Sequence, residues 1–177
     1  SSIYVYSQQG GFYRASKQSS EILIDEYQKV YKLPFTILRY GSIYGPRSDE
    51  KNGLYKIVLD SIKRKKLIYR GSSKAVRSYI HVRDAAKLSV KILKKKYENK
   101  YLLVRGKKHY KIGPLLPTLG KLIKNKSKPR YLNQTQKGHY DSTPFSQKKI
   151  LTKILYPKNA VSLKFGLEEL RRIILKN

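Results

Sequence analysis

Apolar positions along the chain recur in two rhythms, one of helices and one of strands. In residues 13–31, Ile22, Leu23, Glu26, Tyr27 and Val30 form a stripe at helical spacing, and Pro34 stands just past it as a stop. Residues 35–40 are a short β-branched and aromatic run, suited to a parallel strand buried on both faces. Residues 52–63 predict a helix with Leu54, Ile57, Val58 and Ile62 inward, followed by a short strand at 67–69 and a turn at 71–75. Residues 76–82 alternate like a strand. Asp84 then caps or begins a helix through residue 93, to which Ala85, Leu88, Val90, Ile92 and Leu93 supply core.

Residues 101–104 predict a further buried strand before the turn at Gly106. Residues 115–123 predict a weaker helix, because Pro117 falls in its early turns and Gly120 lowers its propensity. A short strand at 130–133 and helices at 146–155 and 167–175 complete the set. Residues 1–11 carry three apolar positions and then a Gly pair, as a strand end passing into a loop does. Gly41, Gly45 and Pro46 punctuate the exit from the 35–40 strand, the place where open α/β sheets bind ligands. Helix followed by strand is half of a parallel crossover unit, so the fold class is α/β.

Composition narrows the function. The chain has 177 residues, enough for one real core or a piece of a larger one. With no Cys and three scattered His there is no disulfide framework and no metal-ligand spacing, which makes a reducing cytoplasm the expected compartment and a metal an unexpected one. No apolar run reaches the ~18 residues that a membrane span needs. The net charge of +29 raises the local concentration of any polyanion. The positives run along the whole chain, however, and KRKK at 63–66 and KKK at 94–96 sit where helices end, favourably placed against the dipole. Solvated faces are therefore the expected use of this charge. A non-catalytic basic module that binds anions or nucleic acid is kept as the alternative.

Tyr13 and Lys17 stand four apart, the only Tyr-x-x-x-Lys pair among 16 Tyr, and on a helix they share one face. An ammonium held beside a phenol favours the phenolate, so such a pair can exchange a proton with a substrate hydroxyl near neutral pH. The surrounding phrases are SSIYVYS, YRASKQSSE and LRYGSIYGPR, with VRSYIHVRDAA at 76–86 and GHYDSTPFS at 138–146. Together they resemble the extended short-chain dehydrogenase/reductase family, in particular the NAD-dependent nucleotide-sugar epimerases and dehydratases, over the C-terminal portion of those enzymes.

The resemblance implies a partial Rossmann-like parallel sheet, its N-terminal strands missing, with an interleaved smaller substrate-binding subdomain. Residues 1–46 would end the Rossmann-like domain, and residues 47–177 would bind substrate, with about 76–106 returning to the sheet. Ser2, Tyr13 and Lys17 would be the catalytic residues. Tyr13, Lys17 and Gly41 would meet NAD, or NADP, since the residue that reads the adenosine ribose belongs to the missing half. Ser42 falls where many relatives carry an asparagine against the substrate, Arg77 would clamp the nucleotide diphosphate, and Tyr69 would flank its base or ribose. A dehydratase needs further acid and base groups beside the serine. Ile3 and Tyr4 stand there instead, which favours epimerase-like or reductase-like chemistry. Relatives often dimerise through the helix bearing the Tyr and Lys, so a homodimer is implied.

The chain contains no Met and opens on what reads as a strand end, so a start in mid-protein is expected. No Gly-x-x-Gly-x-x-Gly follows a strand anywhere, and that loop is what cradles a dinucleotide pyrophosphate. The chain by itself is therefore expected to bind NAD without useful affinity. Saturable binding in the low micromolar range by calorimetry would contradict this.

Overall fold

The computed structural model describes residues 1–132 and 153–176. A short 3₁₀ helix, Ile3–Tyr6, leads into α1 (Gly11–Tyr31), followed by β1 (Thr36–Tyr40), β2 (Ser42–Tyr44) and α2 (Gly53–Lys63). Next come β3 (Ile68–Tyr69), β4 (Val76–Arg77), β5 (Tyr79–His81), α3 (Val82–Lys91), β6 (Lys100–Val104) and β7 (Tyr110–Lys111). The remaining elements are α4 (Ile112–Leu122), β8 (Arg130–Tyr131), β9 (Lys153–Leu155) and α5 (Leu163–Lys176).

The parallel sheet has the order β1-β6-β9, with Thr36 opposite Lys100 and Leu102 opposite Lys153. Its central strand is apolar at every buried position, as a strand covered on both faces must be: Leu102, Leu103 and Val104 are fully buried. Side chains alternate across it. Leu102 and Val104 pack with Ala85 and Leu88 of α3, whereas Leu103 packs with Ile3 on the other face. The larger core lies elsewhere, where Leu54, Ile57 and Val58 of α2 meet Leu116 and Leu119 of α4 and Leu167, Leu170 and Ile174 of α5.

Three small pairings join these layers. β2 runs parallel to β5 and β3 to β8, while β4 is antiparallel to β7. The expected single strand at 76–82 is thus split at Ser78, because its two halves pair with different partners.

Other expectations are corrected in the same way. Only Ser2 continues a strand at the start of the chain, bridging Tyr40, because its hydroxyl accepts from the Tyr4 N–H and turns residues 3–6 into a 3₁₀ helix. His81, not Asp84, caps α3, its Nδ1 accepting from the Arg83 N–H; Asp84 instead accepts from the Val161 N–H. Val90 and Leu93 are exposed and not part of the core. Lys153–Leu155 is a strand beside β6 where the end of a helix was expected, and residues 146–152 of that expectation lie outside the described residues. The short strand expected at 130–133 covers Arg130–Tyr131, with Asn133 outside the described residues.

The helix around Pro117 starts earlier than its sequence suggests, at Ile112. Proline removes the N–H that would have bonded the Gly113 carbonyl one turn back. The Tyr131 hydroxyl donates to that carbonyl at 2.9 Å, which fills the vacancy and ties β8 to α4.

Tyr44 closes the contact between β2 and α5. Its ring packs so closely on Gly166 that a Cβ there would lie 2.5 Å from the hydroxyl, and that hydroxyl has no hydrogen-bond partner among the described residues. Burial, with the neighbouring Tyr110, Asp84 and Glu169, pushes the phenol pKa up. The folded state thus holds the proton to higher pH than the unfolded chain, so stability falls as pH rises past the unfolded value near ~10. Tyr44→Phe is expected to gain about 1 kcal/mol at neutral pH by removing an unsatisfied hydroxyl, and to gain more above pH ~10. Urea unfolding at several pH values checks this; a loss at neutral pH, or a difference that does not grow with pH, would contradict it.

Candidate active site

The site is built at the carboxyl end of β1. Ser2 is buried and bridges Tyr40, the last residue of that strand. Tyr4, whose N–H donates to Ser2 Oγ at 3.4 Å, sets its ring edge-on to Tyr13 with centroids 5.7 Å apart. Gly10 makes this approach feasible: its φ of 111° lies in the left-handed region, and a Cβ would stand 2.8 Å from the Tyr4 ring. α1 then begins, carrying Tyr13 half-exposed and Lys17 one turn on. The Lys17 ammonium lies 5.6 Å from the Tyr13 ring centroid, over the ring.

What holds α1 in this position is a polar face. Arg14 donates to the Ser7 carbonyl at 3.0 Å and Gln18 to the Val5 carbonyl at 3.1 Å, which fasten the first turns to the 3₁₀ segment. Glu21, further along that face, is the one buried residue of the helix. Arg39 of β1 meets it with two parallel bonds, Nε to Oε1 at 3.0 Å and Nη2 to Oε2 at 2.5 Å, and Ser1 Oγ donates to Oε1 as well. The guanidinium lies between the Tyr6 and Tyr101 rings, 4.7 and 4.6 Å from their centroids, and Nη1 donates to the Tyr6 hydroxyl. Burial opposes the Arg39 charge, and the bonds from Glu21 and Tyr6 more than offset it, so its pKa is raised. Asp25, one more turn along, accepts from the Tyr101 hydroxyl; burial first and this bond second push that phenol up. The apolar stripe marked by Ile22, Leu23, Tyr27 and Val30 faces the other way, with Val30 66% and Ile22 62% exposed.

The other expected residues extend the site along the strand ends. Gly41 donates its N–H to the Val104 carbonyl, and a Cβ there would lie 3.2 Å from Arg105 Cβ and 3.6 Å from the Ser78 carbonyl oxygen. Its lack of a side chain thus allows β1, β6 and the β4–β5 junction to converge. Ser42 opens β2 opposite Tyr79. Arg77, next to Ser78, pairs with Tyr110 across β4 and β7, and its Nη1 donates to the Val76 carbonyl. Tyr69 stands apart on β3, opposite Tyr131, with its ring folded over Gly71. The structure therefore brings Ser2, Tyr13 and Lys17 into one chain of contacts through Tyr4, and runs Gly41 and Ser42 beside the Ser78–Tyr79 backbone. Tyr69 and Arg77 flank the start of α4 through β8 and β7.

Three residues that sequence reasoning passed over belong to this edge. Arg105 is buried where β6 ends, its Nη2 donating to the Tyr156 hydroxyl at 2.7 Å and its guanidinium 4.9 Å from that ring centroid; burial lowers its pKa. The hydroxyl of buried Ser78 lies 3.0 Å from His109 Nδ1, and burial, with Arg105 nearby, lowers that imidazole's pKa. A charged residue directly after a buried apolar strand was the available signal for Arg105. Among the described residues no cluster of His, Cys, Asp and Glu could hold a metal, and no helix is long and apolar enough to cross a membrane.

Residues 5–113 match the model of the NAD dependent epimerase/dehydratase family. A UDP-glucuronate 4-epimerase of Thermodesulfobacterium geofontis is 26% identical over 121 residues, 68% of this chain and 38% of that protein. A dTDP-D-glucose 4,6-dehydratase of Dictyostelium discoideum is 34% identical over 83 residues, 47% of this chain and 19% of its own length. Among solved structures, a UDP-glucuronic acid 4-epimerase variant from Bacillus cereus, in complex with a fluorinated UDP-sugar and NAD, superposes with a TM-score of 0.82 at 22% identity. That match covers 99% of this chain and 60% of the other, so the α/β fold with its parallel sheet is shared while the chain spans little more than half the solved protein.

The polar docking of α1 is testable by itself. Glu21→Gln should lower unfolding free energy by about 2–4 kcal/mol, because it strands the Arg39 charge, whereas Glu21→Leu combined with Arg39→Met should lie within about 1 kcal/mol of the original chain. Urea unfolding decides; a cost below about 0.5 kcal/mol for the single substitution would mean that the pair does not hold the helix.

Proposed function

Because the chain belongs to the NAD dependent epimerase/dehydratase family, we propose that it forms the substrate-side portion of an enzyme that moves a hydride and a proton at a sugar carbon of a nucleotide sugar. The observation that carries this reading is the Tyr13 and Lys17 pair on one face of α1, linked through Tyr4 to Ser2 at the carboxyl end of a parallel strand. NAD fits this end of the molecule: a half-exposed phenol and an ammonium one turn apart are donors suited to ribose hydroxyls. Bound NAD would supply the hydride acceptor, and give the hydride back when the reaction closes.

The chain's own residues have simpler tasks. The Tyr13 oxygen takes the proton of the sugar hydroxyl as the carbonyl forms, and returns a proton when the carbonyl is reduced. Lys17 keeps positive charge over the Tyr13 ring and binds ribose. Ser2, held by its Tyr40 bridge, shares a hydrogen bond with the reacting oxygen. Ile3 and Tyr4 follow Ser2 without a carboxylate, which favours epimerase-like or reductase-like chemistry over dehydration.

Arg77 serves the diphosphate, Ser42 faces the sugar, and Tyr69 flanks the base or ribose. UDP-sugars are the first substrates to assay, since two of the three relatives described above are named for them. The exposed α1 face of Ile22, Leu23, Tyr27 and Val30 is the proposed homodimer contact. The cytoplasm is the proposed compartment, on a chain without Cys.

In a protein with demonstrated activity on a UDP-sugar, Tyr13→Phe should lower turnover by ~100-fold or more while the fold survives. Arg77→Ala should mainly raise the Michaelis constant, because a phosphate clamp serves ground and transition state alike. Turnover of the Tyr13→Phe variant within about threefold of the unaltered enzyme would remove Tyr13 from the mechanism.

A further inference from the structure

Far along the sequence from these residues, two lysine-rich runs meet. Lys63–Lys66 closes α2 and residues 124–128 follow α4, and hydrogen bonds weld them together. Asn125 Nδ2 donates to the Ser61 carbonyl at 2.9 Å, the Ser127 hydroxyl donates to the Lys65 carbonyl, and the Arg130 N–H donates to the Leu67 carbonyl at 2.9 Å. The result is an open cleft of about 460 Å³ lined by Lys65, Lys124, Asn125, Lys126 and Ser127.

The attraction of helix C-termini for cations accounts for Lys63 and Lys121 in the last turns of α2 and α4. It does not account for Lys65, Lys124 and Lys126, which lie beyond those turns, because the effect fades within one turn. Nor does any carboxylate among the described residues form an ion pair with them. Residues 61–83 and 99–140 contain no Asp or Glu, and the nearby Asp60 is engaged by Arg64 at 2.5 Å. Asn125 and Ser127 spend their side chains on the weld. Three ammonium groups, flexible point charges with donors only, are what the cleft offers a ligand.

We propose that this cleft binds the phosphodiester backbone of a nucleic acid strand, without reading its bases. A ligand with a charge at each repeat can satisfy several ammonium groups at once and gains by releasing its counterions. Among the described residues no aromatic side chain lines the cleft to stack a base, so no sequence preference is expected. Among the described residues no apolar side chain lines it either, which disfavours a lipid surface. The cleft is independent of the nucleotide-sugar reading, and either can fail without the other.

The test is fluorescence anisotropy with the full chain and a labelled single-stranded oligonucleotide of about 16 nucleotides, over about 50 to 200 mM salt. One variant combines Lys65→Asn, Lys124→Asn and Lys126→Gln; asparagine suits the first two because their backbones are left-handed, with φ of 52° and 59°. A control removes the same charge at exposed lysines outside the cleft, with Lys87→Gln, Lys94→Gln and Lys164→Gln. The cleft variant should bind at least about tenfold more weakly, with a salt slope lower by about 2, as three lost phosphate contacts on a single strand require. The control should stay within about twofold of the unaltered chain, with circular dichroism unchanged in both. Equal losses in the two variants, no loss in the cleft variant, or no binding by the unaltered chain would overturn the proposal. Tighter binding to phosphatidylserine vesicles than to the oligonucleotide, abolished by the cleft substitutions, would overturn it in favour of a membrane.

Discussion

A largely buried ion pair, Glu21 to Arg39, is the constraint on which the candidate site depends. α1 has 21 residues and presents only one of them fully to the interior, and that one is charged. Burying a carboxylate is costly unless a partner meets it with good geometry. Here the partner is a planar guanidinium with two parallel bonds, set between two tyrosine rings on the face of a sheet strand. Such a contact does not tolerate rotation of the helix, because rotation would strand both charges. It fixes the azimuth of α1, and with it the direction in which Lys17 and Tyr13 project, about one and two turns upstream.

The same sheet fixes the other half of the site. Arg39 and Leu103 belong to adjacent parallel strands in register, so the face that receives α1 is opposite the face that receives α3. Carboxyl ends of parallel strands gather at one edge. Ser2, Gly41 and Arg105 are all found there, and Gly41 makes room for the convergence by having no side chain. Backbone geometry thus assembles the edge, and electrostatics aims the helix at it.

How much of this could be read from residues alone depended on the physics behind each contact. The extents of β1, α2 and β6 follow from apolar periodicity, since these elements either bury a stripe or fill a strand; the same period marks the extent of α1, although its apolar stripe is exposed. The docking face of α1 was invisible to that criterion. Arg14, Gln18, Glu21 and Asp25 repeat at helical spacing as faithfully as the apolar residues do, but a hydrophobic pattern looks past them and marks the exposed Ile22, Leu23, Tyr27 and Val30 instead. Likewise the Tyr13 and Lys17 pair is local and legible from spacing. Ser78 and His109 are 31 residues apart, and meet only because β4 pairs with β7, two-residue strands too short to leave a pattern. Lys153–Leu155 was similarly opaque: three residues show no period, and only the vacant edge of β6 makes them a strand.

The most direct measurement of the central claim is amide hydrogen exchange, followed by mass spectrometry, on the Arg39→Met variant. If the ion pair is the main anchor of α1, protection falls across Gly11–Tyr31 while peptides from β6 and α2 keep theirs, since local and global opening then separate. Loss of protection in α1 and β6 together, or none in α1, would contradict the claim.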